Sequence, residues 1–186
     1  KLIELASVTN IDSSSGAVIA DFVAWSRRTF PAANYALVVS SHADGWKSST
    51  NAVGLRKSLI LDESAGNRGN PVEVAAWLKG ANTQFDGYYR PLQLLVFDAC
   101  NMGSIEIAAE FSACSEYLVM SQAFVPGSGF PYASIVKEFS KLGAAAINSE
   151  KAGKIFCETY RDKYLDTPLP SAVTVSLLKL QKWPNS

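Results

Sequence analysis

The sequence predicts an α/β fold, a three-layer α/β/α sandwich around a mostly parallel central sheet. Three observations carry this. Residues 35–41 (YALVVSS), 92–98 (LQLLVFD) and 117–121 (YLVMS) are strand-length apolar runs of the sort that parallel sheets bury on both faces. Stretches with helical spacing alternate with them, as in βαβ units. At 186 residues the chain has the length for one well-buried domain, taken as residues 1–186.

Taken in order, residues 2–8 (LIELASV) read as a first strand and residues 10–16 (NIDSSSG) as turn chemistry. Residues 17–30 read as a helix with Val18, Phe22 and Trp25 on one face. Arg27 and Arg28 suit its C-terminal end, and Pro31 stops it. Residues 47–70 are polar and loop-rich, with a short strand-like run at 58–61. Residues 71–82 form a helix opened by Pro71. After the turn at Asp86-Gly87, the strand at 92–98 runs through 99–101 into a helix from about Met102, with Ile105, Ala108, Ala109 and Phe111 at helical spacing. Residues 122–132 (QAFVPGSGFPY) are a Pro/Gly-punctuated loop. Helices at 133–142 and 150–164 and a last strand at 172–178 complete the pattern.

Composition excludes several classes. Seventeen basic and seventeen acidic residues balance, leaving no electrostatic footprint for nucleic acid or an anionic membrane. No apolar run approaches the roughly 20 residues of a membrane span. Residues 1–8 are too short for a signal peptide and contain Glu4; without an initial Met, the chain reads as a mature or trimmed fragment. Three cysteines without CxxC spacing and a single histidine argue against zinc. A Cys114–Cys157 disulfide stays open, and at least one thiol is left over.

The chemistry concentrates on two residues. Cys100 directly follows the strand at 92–98, and His42, the one histidine, directly follows the strand at 35–41. If those strands are parallel neighbours, thiol and imidazole emerge on the same rim, where ligands of open α/β sheets sit. A thiol nucleophile and a proton-transfer partner require such separate supports converging on one cleft. Placement at a helix N-terminus adds an expectation of a stabilised thiolate. Asp98 precedes Cys100 by two residues, so strand alternation tends to put both on one side. Asp98 either binds a basic substrate group or orders the local loop and helix start. Glu106 reads as a helix-face residue and Trp46 as packing beneath the histidine loop.

The segments SSHADGW and FDACNMGSIEIAAEF resemble the clostripain family of cysteine peptidases, relatives of gingipains and caspases. The second matches a DACxMGxxE motif at Asp98, Ala99, Cys100, Met102, Gly103 and Glu106, with Ser104 also fitting. The resemblance covers about residues 21–132 and implies a caspase-like fold acting on peptide or protein substrates. It implies Cys100 as nucleophile, His42 as its partner, and the N–H groups of Ala43 and Cys100 as the oxyanion hole. Such donors are commonly worth about 3 kcal/mol each. Asp98, with Ser121 and Gln122, would bind the substrate, favouring Arg or Lys before the scissile bond. The resemblance implies no required cofactor, brings calcium as a candidate ion, and points to export from a bacterium. Two departures are visible: Ala43 stands where an HGxGW-type motif has glycine, and 121–128 lacks the acidic residues of a SEExxPGxGW pattern. They motivate the alternative of a peptide-binding or scaffolding homologue without turnover. Arg56, Lys57 and Arg68 offer basic sites for self-cleavage between the two strands.

Overall fold

A computed structural model describes residues 7, 9, 11–46, 59–62, 66–82, 90–143, 147–168 and 172–180. The strand expected at 2–8, Ser7 apart, and the cleavage sites Arg56 and Lys57 lie outside the described residues. A four-stranded sheet has the order β1 (Ala36–Ser40), β4 (Leu92–Asp98), β5 (Ser115–Met120), β6 (Ser176–Lys179). β1 pairs with β4 and β4 with β5 in parallel, and β6 runs antiparallel to β5. A separate antiparallel hairpin joins β2 (Ile60–Asp62) to β3 (Asn67–Gly69).

Alternation along β4 builds the layers. Leu95 and Phe97 point to one face, into a core shared with Val23 of α1 (Gly16–Thr29), Val74 and Leu78 of α2 (Pro71–Ala81) and Phe111 of α3 (Ile105–Phe111). Leu94 and Val96 point to the other, against Ile135 of α4 (Tyr132–Leu142) and Phe156 and Tyr160 of α5 (Ser149–Tyr164). The result is the expected three-layer sandwich. Phe97 and Phe111 meet edge to face with centroids 5.1 Å apart, a geometry worth about 1 kcal/mol beyond burial.

Local chemistry explains most boundaries. Asn70 caps α2 by accepting from the Val72 N–H at 2.9 Å, with Pro71 in the first turn. Asn148 caps α5 by accepting from Lys151 N–H at 2.9 Å. Arg27 is buried at the end of α1, where its guanidinium donates to the Arg90 carbonyl at 3.0 Å.

Three boundaries depart from the sequence reading. β3 falls in a stretch read as loop, because Asn67 and Arg68 carry no apolar strand pattern. The last strand begins at Ser176 instead of residue 172. The third departure bears on chemistry: α3 starts at Ile105, not near Met102. Ser104 is the cap, accepting from Ile107 N–H at 3.3 Å. Ahead of it, Gly103 N–H donates to Ser121 O at 2.7 Å, which holds residues 101–103 against the end of β5.

Candidate active site

β1 and β4 pair with Ser40 opposite Asp98, and Ser41 N–H donates to Asp98 O at 3.2 Å. His42 lies two residues beyond Ser40 and Cys100 two beyond Asp98. Both therefore leave adjacent parallel strands at the same C-terminal edge. The loops they begin also touch. Gly45, with φ +68°, lies so close to Asn101 that an added Cβ would stand 2.3 Å from the Asn101 carbonyl oxygen. His42 is exposed, Ala43 is buried and Cys100 is half-buried.

The turn at Cys100 is shaped by long-range contacts. Asn101 adopts φ 59°, a left-handed conformation that Asn tolerates better than most side chains. Its N–H donates to Ala123 O at 3.1 Å. Val125 N–H donates to Cys100 Sγ at 3.3 Å. Cys100 precedes α3 by five residues, so it does not stand at the helix N-terminus as expected; its Sγ also lies 3.8 Å from Val125 O, to which the thiol donates. A Cβ on Gly103 would meet Gln122 N at 2.7 Å, so only glycine allows this approach to the β5 exit. The backbone N–H groups of Cys100 and Ala43 donate to no described residue.

Asp98 points with Leu94 and Val96 toward the α5 layer and is 6% exposed. Its Oδ2 accepts from Tyr132 OH at 2.6 Å and from Phe130 N–H at 3.2 Å. Gly129, at φ +54°, brings its Cα against the carboxylate; a Cβ there would lie 2.5 Å from Oδ2. Asp98 thus holds the 129–132 loop and does not cap α3. Burial pushes the Tyr132 phenol above its ordinary pKa, and the adjoining Asp98 carboxylate adds to that shift. From the far side, Lys163 Nζ donates to Ser128 O and Gly129 O at 2.8 and 2.9 Å, and Tyr164 OH donates to Gly129 O at 2.8 Å. Tyr132, Gly129 and the α5 residues were not singled out in the sequence. The one visible signal was the glycine- and proline-rich composition of 126–131.

Of the other candidates, Ser121 is buried; its hydroxyl donates to Ala123 O at 2.9 Å and lies 3.2 Å from Thr174 Oγ1. Gln122 is exposed, and its N–H donates to Thr174 Oγ1 at 3.0 Å. Trp46 packs against the α1–α3 core, as expected, and Glu106 sits exposed in the first turn of α3. Asp44, in the histidine loop, pairs with Arg68 at 3.1 Å.

All three cysteines are free. Cys114 and Cys157 belong to the cores on opposite faces of the sheet, which leaves no route to a mutual disulfide. Burial pushes the Cys114 thiol up to about 12 and the Cys157 thiol up to about 11. Neither is suited to act as a nucleophile. A cavity of about 750 Å³ lies on the outer flank of β1, lined by Ile19, Phe22, Trp25, Val39 and Leu61. It reaches Ser40 and Ser41 but not Asp98 or Cys100, and is distinct from the cysteine turn. Among the described residues no three His, Cys, Asp or Glu side chains converge to hold a metal ion, and no helix is long and apolar enough to cross a membrane.

Comparison with known proteins agrees with this architecture. A secreted C11 cysteine protease from Bacteroides thetaiotaomicron, solved with an irreversible peptide inhibitor, superposes with a TM-score of 0.70 at 23% identity, over 94% of this chain and 47% of that one. An inactive zymogen C11 protease from Parabacteroides distasonis gives 0.64 at 22% identity, over 93% and 42%. These likenesses establish a caspase-like fold. Clostripain of Hathewaya histolytica is 24% identical over 184 residues, 86% of this chain but 34% of that relative, so the chain spans about a third of its length. The model of the clostripain family (Peptidase C11) matches residues 1–184, and the chain belongs to that family.

Proposed function

We propose that this chain forms a single peptidase domain, a cysteine endopeptidase that cleaves after Arg or Lys, with Cys100 as nucleophile and His42 as its proton-transfer partner. One observation carries the reading: the parallel register of Ser40 with Asp98, which delivers residues 42 and 100 to one sheet edge. The Cys100 thiolate attacks the scissile carbonyl, and the Val125 N–H at 3.3 Å stabilises the sulfur before attack. The backbone N–H groups of Cys100 and Ala43, which donate to no described residue, face the oxygen that becomes negative in the tetrahedral intermediate. His42 gives its proton to the leaving amine and then activates the water that hydrolyses the thioester. Asp98, a buried carboxylate two residues before Cys100, supplies the charge that selects a basic side chain. No step runs through a metal.

Both solved relatives are described as proteases, which favours action on peptides or proteins, and one is described as secreted, which favours export. A second reading, peptide binding without turnover, draws on the 2.6 Å bond that commits Asp98 to Tyr132. A fluorogenic peptide panel with Arg, Lys, Asp or Ala before the cleaved bond separates the two. The peptidase reading expects turnover of Arg and Lys substrates that disappears in a folded Cys100→Ala protein. Binding without turnover in the unaltered chain favours the second reading.

A further inference from the structure

Asp98 is not the only polar group beneath the 128–132 loop. Tyr160 of α5 is 1% exposed, and its hydroxyl has no hydrogen-bond partner among the described residues. Buried hydroxyls are almost always paired, and leaving one without a partner is unfavourable. This one is therefore a candidate ligand contact.

Its position is set by packing. The Tyr160 ring lies 4.6 Å from Phe130 and 4.8 Å from Tyr164, between centroids. The Gly129–Phe130 peptide group is held on both sides: its N–H donates to Asp98 Oδ2 and its carbonyl accepts from Tyr164 OH. Strand alternation turns Asp98 toward this α5 layer, since Leu94 and Val96 share a core with Tyr160. Burial pushes the phenol above its ordinary pKa, with Tyr164, Asp98 and Cys100 adding to the shift. Oδ2 of Asp98 already receives two donors, whereas Oδ1 receives none from the described residues.

We propose that Tyr160 is a further specificity-determining residue: its phenol oxygen and Oδ1 of Asp98 together receive the N–H groups of the basic side chain that precedes the scissile bond. This rests on the peptidase reading for its substrate, but the pairing of the two oxygens is a binding claim that holds without catalysis. With Oδ2 occupied, a guanidinium cannot take both carboxylate oxygens side by side. An ammonium, which needs separate acceptors around one nitrogen, fits at least as well, so Lys is accepted no worse than Arg.

Two measurements test it. In the Cys100→Ala protein, n-butylammonium binding is followed by calorimetry, with n-butanol as the neutral control. Adding Tyr160→Phe weakens n-butylammonium by about tenfold and leaves n-butanol unchanged. In the active protein, Tyr160→Phe lowers kcat/KM for Lys and Arg peptides by about tenfold and spares the Ala peptide. No n-butylammonium binding, an equal effect on charged and neutral ligands, or no effect overturns the proposal. So does a fall in Tm for Tyr160→Phe, because it would show that the hydroxyl already has a partner in the fold. If peptides are not cleaved but n-butylammonium binding depends on Tyr160, the peptidase reading fails and this one stands.

Discussion

Gly45 and Asn101 are in backbone contact: a Cβ on residue 45 would stand 2.3 Å from the Asn101 carbonyl oxygen, and Gly45 holds φ +68°. The loop carrying His42 is thereby seated on the turn carrying Cys100. Gly45→Ala introduces both a clash and left-handed strain. It is expected to cost about 1–3 kcal/mol of stability and, by shifting one loop against the other, about 100-fold in kcat/KM. Thermal unfolding and steady-state kinetics on one preparation check this. Unchanged kinetics would mean that the loops do not position each other.

Tyr132→Phe removes the 2.6 Å donor to Asp98. A hydrogen bond to a carboxylate contributes about 1.5–3 kcal/mol, and because Tyr132 is 41% exposed the loss is expected at the lower end. In a chain of this size that lowers Tm by about 3–6 °C. The phenol's folded pKa is raised, so its contribution is complete below the ordinary tyrosine value of 10.0 and is lost as pH rises above it. The difference in Tm between wild type and variant therefore narrows in alkaline buffer. A difference that stays constant well above pH 10 contradicts the assignment.

Thiol reactivity separates the three cysteines. With Cys114 pushed to about 12 and Cys157 to about 11 by burial, neither forms appreciable thiolate below pH 9. Iodoacetamide at pH 7.5, read by mass spectrometry of peptides, is expected to label Cys100 alone. Labelling of Cys114 at a comparable rate would show that its burial is transient.

The same shifts give stability a pH dependence. Both thiols lose protons from about their ordinary 9.0 in the unfolded chain but hold them to about 12 and 11 when folded. Folding free energy therefore falls as pH rises past 9, by up to about 1.4 kcal/mol per pH unit for each thiol. Cys114→Ala flattens that slope at the price of a small cavity. A slope identical to wild type in urea titrations at pH 9 and 10.5 would remove Cys114 as its source.

The stretches most legible in the sequence were those whose signal is local. β4 is an apolar run ended by Asp98, and α2 carries its Asn70–Pro71 start in adjacent residues. β4 shows the near-continuous apolar run of a parallel strand buried on both faces, whereas β1 is buried on alternate residues; that the two lie side by side was a condition of the sequence reading, and the pairing supplies it. What escaped depends on partners far along the chain. Ser121, eighteen residues away, holds Gly103 and delays α3; Tyr132, thirty-four residues from Asp98, takes its carboxylate. Tyr160 read only as a helix residue, since nothing in its neighbours shows that its hydroxyl is buried unpaired. Neutral residues at 121–128 suggested a pocket short of charge. Backbone N–H and phenol groups gather around the Asp98 carboxylate, which the neutral 121–128 loop does not reveal.

The most direct test of the account is covalent: a chloromethyl ketone bearing arginine or lysine, with an aspartate analogue as control, timed against each cysteine by mass spectrometry. The proposed pairing of His42 and Cys100 at one sheet edge predicts rapid modification of Cys100 by the basic reagents, slowed by His42→Ala and absent in Cys100→Ala. Modification of Cys100 no faster than that of Cys157, or equal rates with the aspartate reagent, would contradict it.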